Sequence, residues 1–139
     1  MTRQLSVGIG VLAAPLLLTP ALASAQAIDI GKREYFNSCA VCHGTAGKGD
    51  GPLAPYLEKA PSDLTHLDKA SIFPLLYGII DGRRIVAFHG PREMPVWGDR
   101  YTQQVSELTG GLGTPAELES FTRGRILALI GYISTLQEK

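Results

Sequence analysis

The stretch Cys39-Ala-Val-Cys42-His43 decides how the rest of the chain is interpreted. It contains both cysteines of the 139-residue chain, separated by two residues and followed at once by a histidine. Thiols and imidazoles bind metals and form covalent bonds, so five consecutive positions carry an unusual amount of chemistry. Good helix formers with aromatic residues at 35 and 36 precede the cysteines, which predicts a helix over 28–38 that leads straight into them.

The spacing C-x-x-C-H is typical of covalent haem attachment. Two thiols three positions apart at a helix end can each add to a vinyl group of one haem, which places the adjacent imidazole under the iron. Three alternatives stay open. A structural zinc site needs four ligands and finds only the single residues His66 and His89 as further candidates. A dithiol oxidoreductase favours a βαβ context that is missing here, and a plain disulfide requires an oxidising compartment.

Composition bounds the remaining possibilities. Hydrophobic residues make up 45% of the chain and charged residues 19%, as expected of one globular domain. The chain has thirteen basic and thirteen acidic side chains, so it lacks the excess of Lys and Arg that is typical of nucleic-acid-binding proteins. With 16 glycines, 9 prolines and two cysteines, the chain is expected to be rich in turns and not to be a disulfide scaffold.

The N-terminal segment resembles a secretory signal. After Arg3, residues 4–28 carry no charge, and their apolar core is followed by Pro20 and the small residues Ala23-Ser-Ala25. We therefore predict a signal peptide over 1–25, a mature domain over 26–139 and a periplasmic location. The alternative is a retained membrane anchor, because the uncharged run is just long enough to cross a bilayer.

The other elements are predicted to be helices joined by long loops. Glycines and prolines punctuate residues 44–65 and 82–98 too densely for regular structure, although 84–88 could be a short extended piece. Short helices are predicted at about 71–80 and 101–108. A long terminal helix follows, because Thr114, Pro115 and Glu117 form an N-cap, a first-turn proline and a capping-box acid. Its apolar positions follow three-and-four spacing and predict one buried stripe: Ile126, Leu129, Ile130, Ile133 and Leu136. The predicted fold class is all-α.

From about residue 28 to residue 136, the chain resembles the monohaem class I c-type cytochromes. The resemblance implies three to five helices wrapped around one covalent haem c, with the first and last helices crossing. Gly31 and Tyr35 stand at the positions that the family uses for this crossing, and Leu129 and Tyr132 are the matching residues of the last helix. A close backbone approach is the usual compensation for a glycine inside a helix.

The haem-binding loop of the family resembles Cys39 to Pro52, C-A-V-C-H-G-T-A-G-K-G-D-G-P. In relatives, a proline carbonyl near the end of this loop accepts a hydrogen bond from the iron-bound histidine, which fixes the orientation of the ring. The resemblance assigns this role to Pro52, with Pro55 as the alternative, and makes His43 the first axial ligand.

Met94 is the candidate for the second axial ligand. The only other methionine, Met1, would leave with the signal peptide. Met94 lies 51 residues after His43 in R-E-M-P-V-W-G, which resembles the family's M-P-x-hydrophobic-G loop. Ordinary core packing is the alternative for a lone methionine, and His89 is a competing ligand five residues earlier. Four polar or cationic residues are candidates for contacting the haem propionates or lining the crevice: Tyr56, Arg83, Arg84 and Trp97.

Ligation by histidine and methionine leaves no open position on the iron, and it raises the reduction potential of the haem relative to ligation by two histidines. The resemblance therefore implies a non-enzymatic electron carrier that docks briefly with redox partner proteins such as a dehydrogenase, a cytochrome complex or a terminal oxidase. Two alternatives remain open. One is a fixed electron-transfer subunit of a periplasmic dehydrogenase or oxidase, and the other is a haem peroxidase or gas sensor with a labile iron ligand.

Overall fold

The computed structural model describes residues 27, 29–68, 72–83 and 94–138. Within this part of the chain there are four helices and no strand, which confirms the predicted all-α class. Helix α1 runs from residue 29 to His43, and a 3₁₀ turn follows at Ala54–Tyr56. The other three helices are α2, Ile72–Asp81; α3, Trp97–Leu108; and α4, Pro115–Thr135.

Helix α1 extends further than predicted, because it continues through both cysteines. Its middle, Tyr35–Cys39, is a π-helical turn in which the Ala40 amide donates to the Tyr35 carbonyl, and Ala40–His43 then returns to α-helical geometry. Turns of this kind are frequent at functional sites. Gly44 ends the helix at φ 79°, a conformation that side chains disfavour and glycine adopts freely.

The first and last helices cross at Gly31, as the resemblance to class I cytochromes c implies. A Cβ atom built on Gly31 would overlap the carbonyl oxygen of Ala128 in α4, so only glycine allows the two backbones to approach this closely. One turn further along, the rings of Tyr35 and Tyr132 pack with their centroids 5.3 Å apart. The fully buried Leu129 completes the contact.

Helix α4 begins where the capping signals place it. The Thr114 hydroxyl accepts a hydrogen bond from the Glu117 amide, and the Glu117 carboxylate accepts one from the Thr114 amide at 2.8 Å. The predicted stripe faces the core: Ile126, Leu129, Ile130 and Ile133 are buried, and Leu136 packs against them. The stripe therefore orients α4 across α1, α2 and α3.

Two boundaries differ from the sequence-based expectation. Helix α2 ends one residue later, at Asp81, and α3 begins four residues earlier, at Trp97. The earlier start of α3 follows from Trp97 and Tyr101, which lie one turn apart, are both buried and pack with ring centroids 5.9 Å apart. Gly98 is the second residue of α3 and does not interrupt the helix.

Some of the predicted features lie outside the described residues. These are the signal segment 1–25, the domain boundary that follows it and the extended piece at 84–88. Among the residues that are described, no helix combines the length and the hydrophobicity needed to cross a bilayer.

Candidate haem site

Both cysteines lie in the last turns of α1 and neither forms a disulfide. Cys39 is buried against the core, whereas Cys42 is half-exposed one turn later. The structure therefore presents two separate thiols on one helix end, with the His43 imidazole beside the second. This arrangement differs from the disulfide alternative that the sequence leaves open.

The environment of Cys39 also differs from that of a reactive dithiol. Burial raises the pKa of its thiol to about 12, with a further contribution from the negative charge of Glu34. Redox-active cysteines instead have lowered pKa values, often at the positive N-terminal end of a helix. Cys39 instead lies near the C-terminal end of α1. The thiol at position 39 is thus held in its protonated form.

The His43 ring is held in one tautomer by a backbone group. Its Nδ1 atom lies 3.0 Å from the carbonyl oxygen of Ser62. A carbonyl only accepts hydrogen bonds, so Nδ1 carries the proton and the lone pair of a neutral ring is left on Nε2. A fixed tautomer with a free Nε2 lone pair is the form in which histidine binds a metal.

The partner of His43 differs from the one that the resemblance assigns. The carbonyl belongs to Ser62 in the structure, so the assignment of this role to Pro52 or Pro55 is wrong. The close approach of Gly49, at φ 78°, to the carbonyl of Pro61 brings the segment containing Ser62 to the site. Backbone carbonyls carry no sequence signal, so the residue type of Ser62 gives no indication of this contact.

The loop after His43 folds back over the end of α1. The amides of Gly49, Gly51 and Leu53 donate to the carbonyls of His43, Cys42 and Val41 at 2.8, 3.0 and 2.9 Å. Carbonyls at the C-terminal end of a helix have no amide partners within the helix, so the amides of the loop provide the missing hydrogen bonds. A Cβ atom on Gly51 would come within 2.6 Å of the Cys42 backbone, which explains the glycine at this position.

Tyr35 ties this loop to the helix crossing, because its hydroxyl donates to the Gly44 carbonyl at 2.6 Å. Replacing Tyr35 with Phe is expected to lower the free energy of unfolding by about 1 kcal/mol, since it removes one of the two hydrogen bonds to the buried Gly44 carbonyl, the other coming from the Gly47 amide at 3.2 Å. Urea denaturation measures the difference. Tyr56→Phe is the matched control and should be neutral, because Tyr56 is 83% exposed. Equal effects of the two substitutions would contradict this role of Tyr35.

Met94 is half-buried and packs against the core cluster. It precedes α3 by two residues, Pro95 and the extended Val96. The thioether is therefore carried by a short segment whose backbone is restricted by proline on one side and by the helix start on the other. The competing ligand His89 lies outside the described residues.

The four candidates for haem-crevice contacts have different surroundings. Trp97 is buried against Tyr101, with the Arg100 guanidinium 5.1 Å from its ring centroid. Tyr56 is exposed on the 3₁₀ turn, and Arg83 is engaged by the carboxylates of Asp81 and Glu119. Arg84 lies outside the described residues. Of the three described candidates, Trp97 is the one that is both buried and close to Met94 in sequence.

The available donors fit a haem c better than a zinc ion. In the described ranges, no three residues among His, Cys, Asp and Glu cluster as metal ligands. His66 instead lies in a surface cluster, 2.9 Å from the Thr65 hydroxyl and 3.5 Å from Asp63. Two unpaired thiols, one oriented imidazole and one thioether are the donor set of a covalently bound haem with two axial ligands.

Comparison with known proteins gives one family. The family described as "Cytochrome C oxidase, cbb3-type, subunit III" matches residues 26–108, more than half of the chain. The matched region contains the cysteine motif, Met94 and helices α1 to α3, whereas α4 lies beyond it. A search of the curated proteins and a search of the solved structures each found no match.

Proposed function

Because the chain belongs to the family of the cbb3-type cytochrome c oxidase subunit III, whose cytochrome c domain implies a covalent haem c and electron transfer, we propose a specific function for it. It is a periplasmic electron-transfer protein with one haem c, bound through Cys39 and Cys42 and ligated by His43 and Met94. It is a carrier and not an enzyme.

The proposal rests on the side chains at the end of α1. Two unpaired thiols and an imidazole with a free Nε2 lie within five residues. A haem at this site would be held by Cys39 and Cys42 through two thioether bonds, each formed by addition of an S–H group across a vinyl group, which needs no oxidant.

The axial positions are assigned to His43 and Met94. When bound, the haem supplies a one-electron couple between ferrous and ferric iron. The Ser62 carbonyl orients the imidazole, and the half-buried Met94 side chain is held by its packing against the core. If His43 and Met94 both bind the iron, they would leave no position for a substrate on the metal, and the chemistry that the haem would supply is electron transfer.

An exposed apolar surface beside the attachment motif supports brief docking with a redox partner. Val41, between the two cysteines, is 41% exposed, and the Leu53 amide donates to its carbonyl. Leu53 and Tyr56 are also exposed. Small contact areas are typical of short-lived electron-transfer complexes.

A second candidate function is favoured by the family match. The matched family is named for a subunit of an oxidase, so a permanent place in such a complex is the alternative to a free carrier. Purification of the native protein under mild conditions separates the two, because a subunit remains with its complex whereas a carrier is recovered alone.

Met94→Ala tests the ligand assignment. The exported ferric protein should show the weak near-infrared-edge charge-transfer band of thioether ligation, and the variant should lose it, bind added imidazole and have a lower potential. His89→Ala is the control and should retain the band. A band that survives Met94→Ala, or disappears in His89→Ala, contradicts the assignment. Turnover of peroxide by the isolated wild-type protein would contradict the carrier function.

A further inference from the structure

Arg83 joins two helices through charged hydrogen bonds. Its guanidinium contacts the Asp81 carboxylate at the end of α2, with Nη2 3.0 Å from Oδ2. It also contacts the Glu119 carboxylate in α4 through Nη1 at 2.7 Å and Nη2 at 3.1 Å. The hydrogen bond from Arg83 lowers the pKa of Glu119. We call these three residues the Arg83 cluster.

The first turn of α3 rests directly on the Arg83 cluster. A Cβ atom built on Gly98 would overlap the Asp81 carboxylate and lie 2.5 Å from the Arg83 Nε atom and 2.8 Å from the Asp81 carbonyl oxygen. The absence of a side chain at Gly98 is therefore what allows α3 to begin against the end of α2. The Asp81 and Arg83 side chains can relieve such an overlap only by moving out of the Arg83 cluster, and the Asp81 carbonyl oxygen, as a backbone atom, cannot rotate away.

Local capping does not fix the start of α3. The N-cap residue is Val96, and no side chain caps the first turn. Further along, the Thr102 hydroxyl lies 3.0 Å from the Thr122 hydroxyl of α4, so tertiary contacts determine where the helix lies. Met94 is separated from Gly98 by three residues, one of them a proline, so the position of its sulfur depends on where α3 begins.

We propose that Arg83 is a positioning residue for Met94: the Arg83 cluster seats Gly98, and thereby holds the start of α3 and the thioether in the geometry that the iron requires. This inference rests on the proposed ligation by Met94. It assigns Arg83 a role different from the propionate contact predicted from the sequence, because its donors are engaged by Asp81 and Glu119. Ligand positioning by such surrounding contacts is a general property of metal sites.

The test compares Arg83→Ala, Arg83→Lys and Gly98→Ala in the full haem-loaded protein. The measurements are the ferric thioether band and the affinity for added imidazole, which competes with Met94. Arg83→Ala and Gly98→Ala should weaken the band and raise the imidazole affinity about tenfold, which corresponds to about 1.4 kcal/mol. Arg83→Lys should lie between them and the wild type, because a lysine ammonium cannot contact both carboxylates in the same planar geometry.

Arg123→Ala is the matched control. Arg123 lies one turn after Glu119 in α4 and is exposed, with its guanidinium 5.9 Å from the Tyr77 ring centroid. Its charge also acts on Glu119, but it is not among the atoms nearest to Gly98, so Arg123→Ala removes a neighbouring positive charge without removing the contact with α3. It should leave the band and the imidazole affinity unchanged. Glu119→Gln, which preserves the Asp81 contact, is a milder variant that should shift both in the direction of Arg83→Ala.

Met94→Ala, measured in parallel, distinguishes a failure of the positioning role of Arg83 from a failure of the proposed ligation by Met94. If Met94→Ala loses the band while Arg83→Ala, Glu119→Gln and Gly98→Ala keep wild-type imidazole affinity, the positioning role is wrong and the ligation stands. A lower melting temperature of these three variants with an unchanged band also contradicts the positioning role. If Met94→Ala itself keeps the band, the ligation on which the inference rests is wrong.

Discussion

Replacing Gly31 with Ala is expected to lower the free energy of unfolding by about 3 kcal/mol, near the upper end of overpacking costs. The added methyl group would overlap the carbonyl oxygen of Ala128, and neither of the two backbones can move aside without separating α1 from α4. A domain of this size is stabilised by only about 5–15 kcal/mol in total. Urea denaturation followed by circular dichroism measures the loss.

Gly124→Ala provides the matched control within α4. No atom lies within 4 Å of a Cβ built on Gly124, so the substitution should be neutral or stabilise the helix by up to about 1 kcal/mol. Gly31→Ala is therefore expected to destabilise the protein and Gly124→Ala is not. If Gly31→Ala is as stable as Gly124→Ala, the close crossing of α1 and α4 is wrong.

Removing one of the two attachment thiols is also expected to have a large effect, on both haem attachment and folding. Cys42→Ala should lose stable haem attachment and much of the folded population, because the cofactor is expected to complete the core of a small domain. Haem-dependent staining of the denatured, exported protein measures covalent attachment. Val41→Ala is the control, since Val41 lies between the cysteines and is 41% exposed, and it should retain the stain. A Cys42→Ala protein that is haem-free yet folded at the wild-type level would contradict a role of haem in the core.

Local chemistry explains why some of the fold can be predicted. The capping box of α4 involves only Thr114 and Glu117, three residues apart, so the sequence predicts the helix start and the structure confirms it. The crossing at Gly31 depends on a distant partner, and only the resemblance to class I cytochromes c predicts it. The structure supplies the physical reason, which is contact with the Ala128 carbonyl.

The features that sequence reasoning misses depend on contacts between distant residues or on backbone groups. The helix through Cys39 requires a π-helical turn, and its hydrogen bond from Ala40 to Tyr35 has no pattern of residue types. The Ser62 carbonyl is a backbone group brought to His43 by the loop, 19 positions along the chain. An arginine pair suggests a propionate contact for Arg83, whereas two carboxylates engage it in the structure.

The mass of the exported wild-type protein, followed by mapping of the peptide that contains residues 39–43, shows whether a haem is covalently attached at Cys39 and Cys42. We expect a chain that begins at Gln26, heavier by one haem, with both Cys39 and Cys42 in thioether linkages and unreactive toward thiol reagents. A mass equal to that of the haem-free chain, or a peptide in which both thiols react, would contradict it.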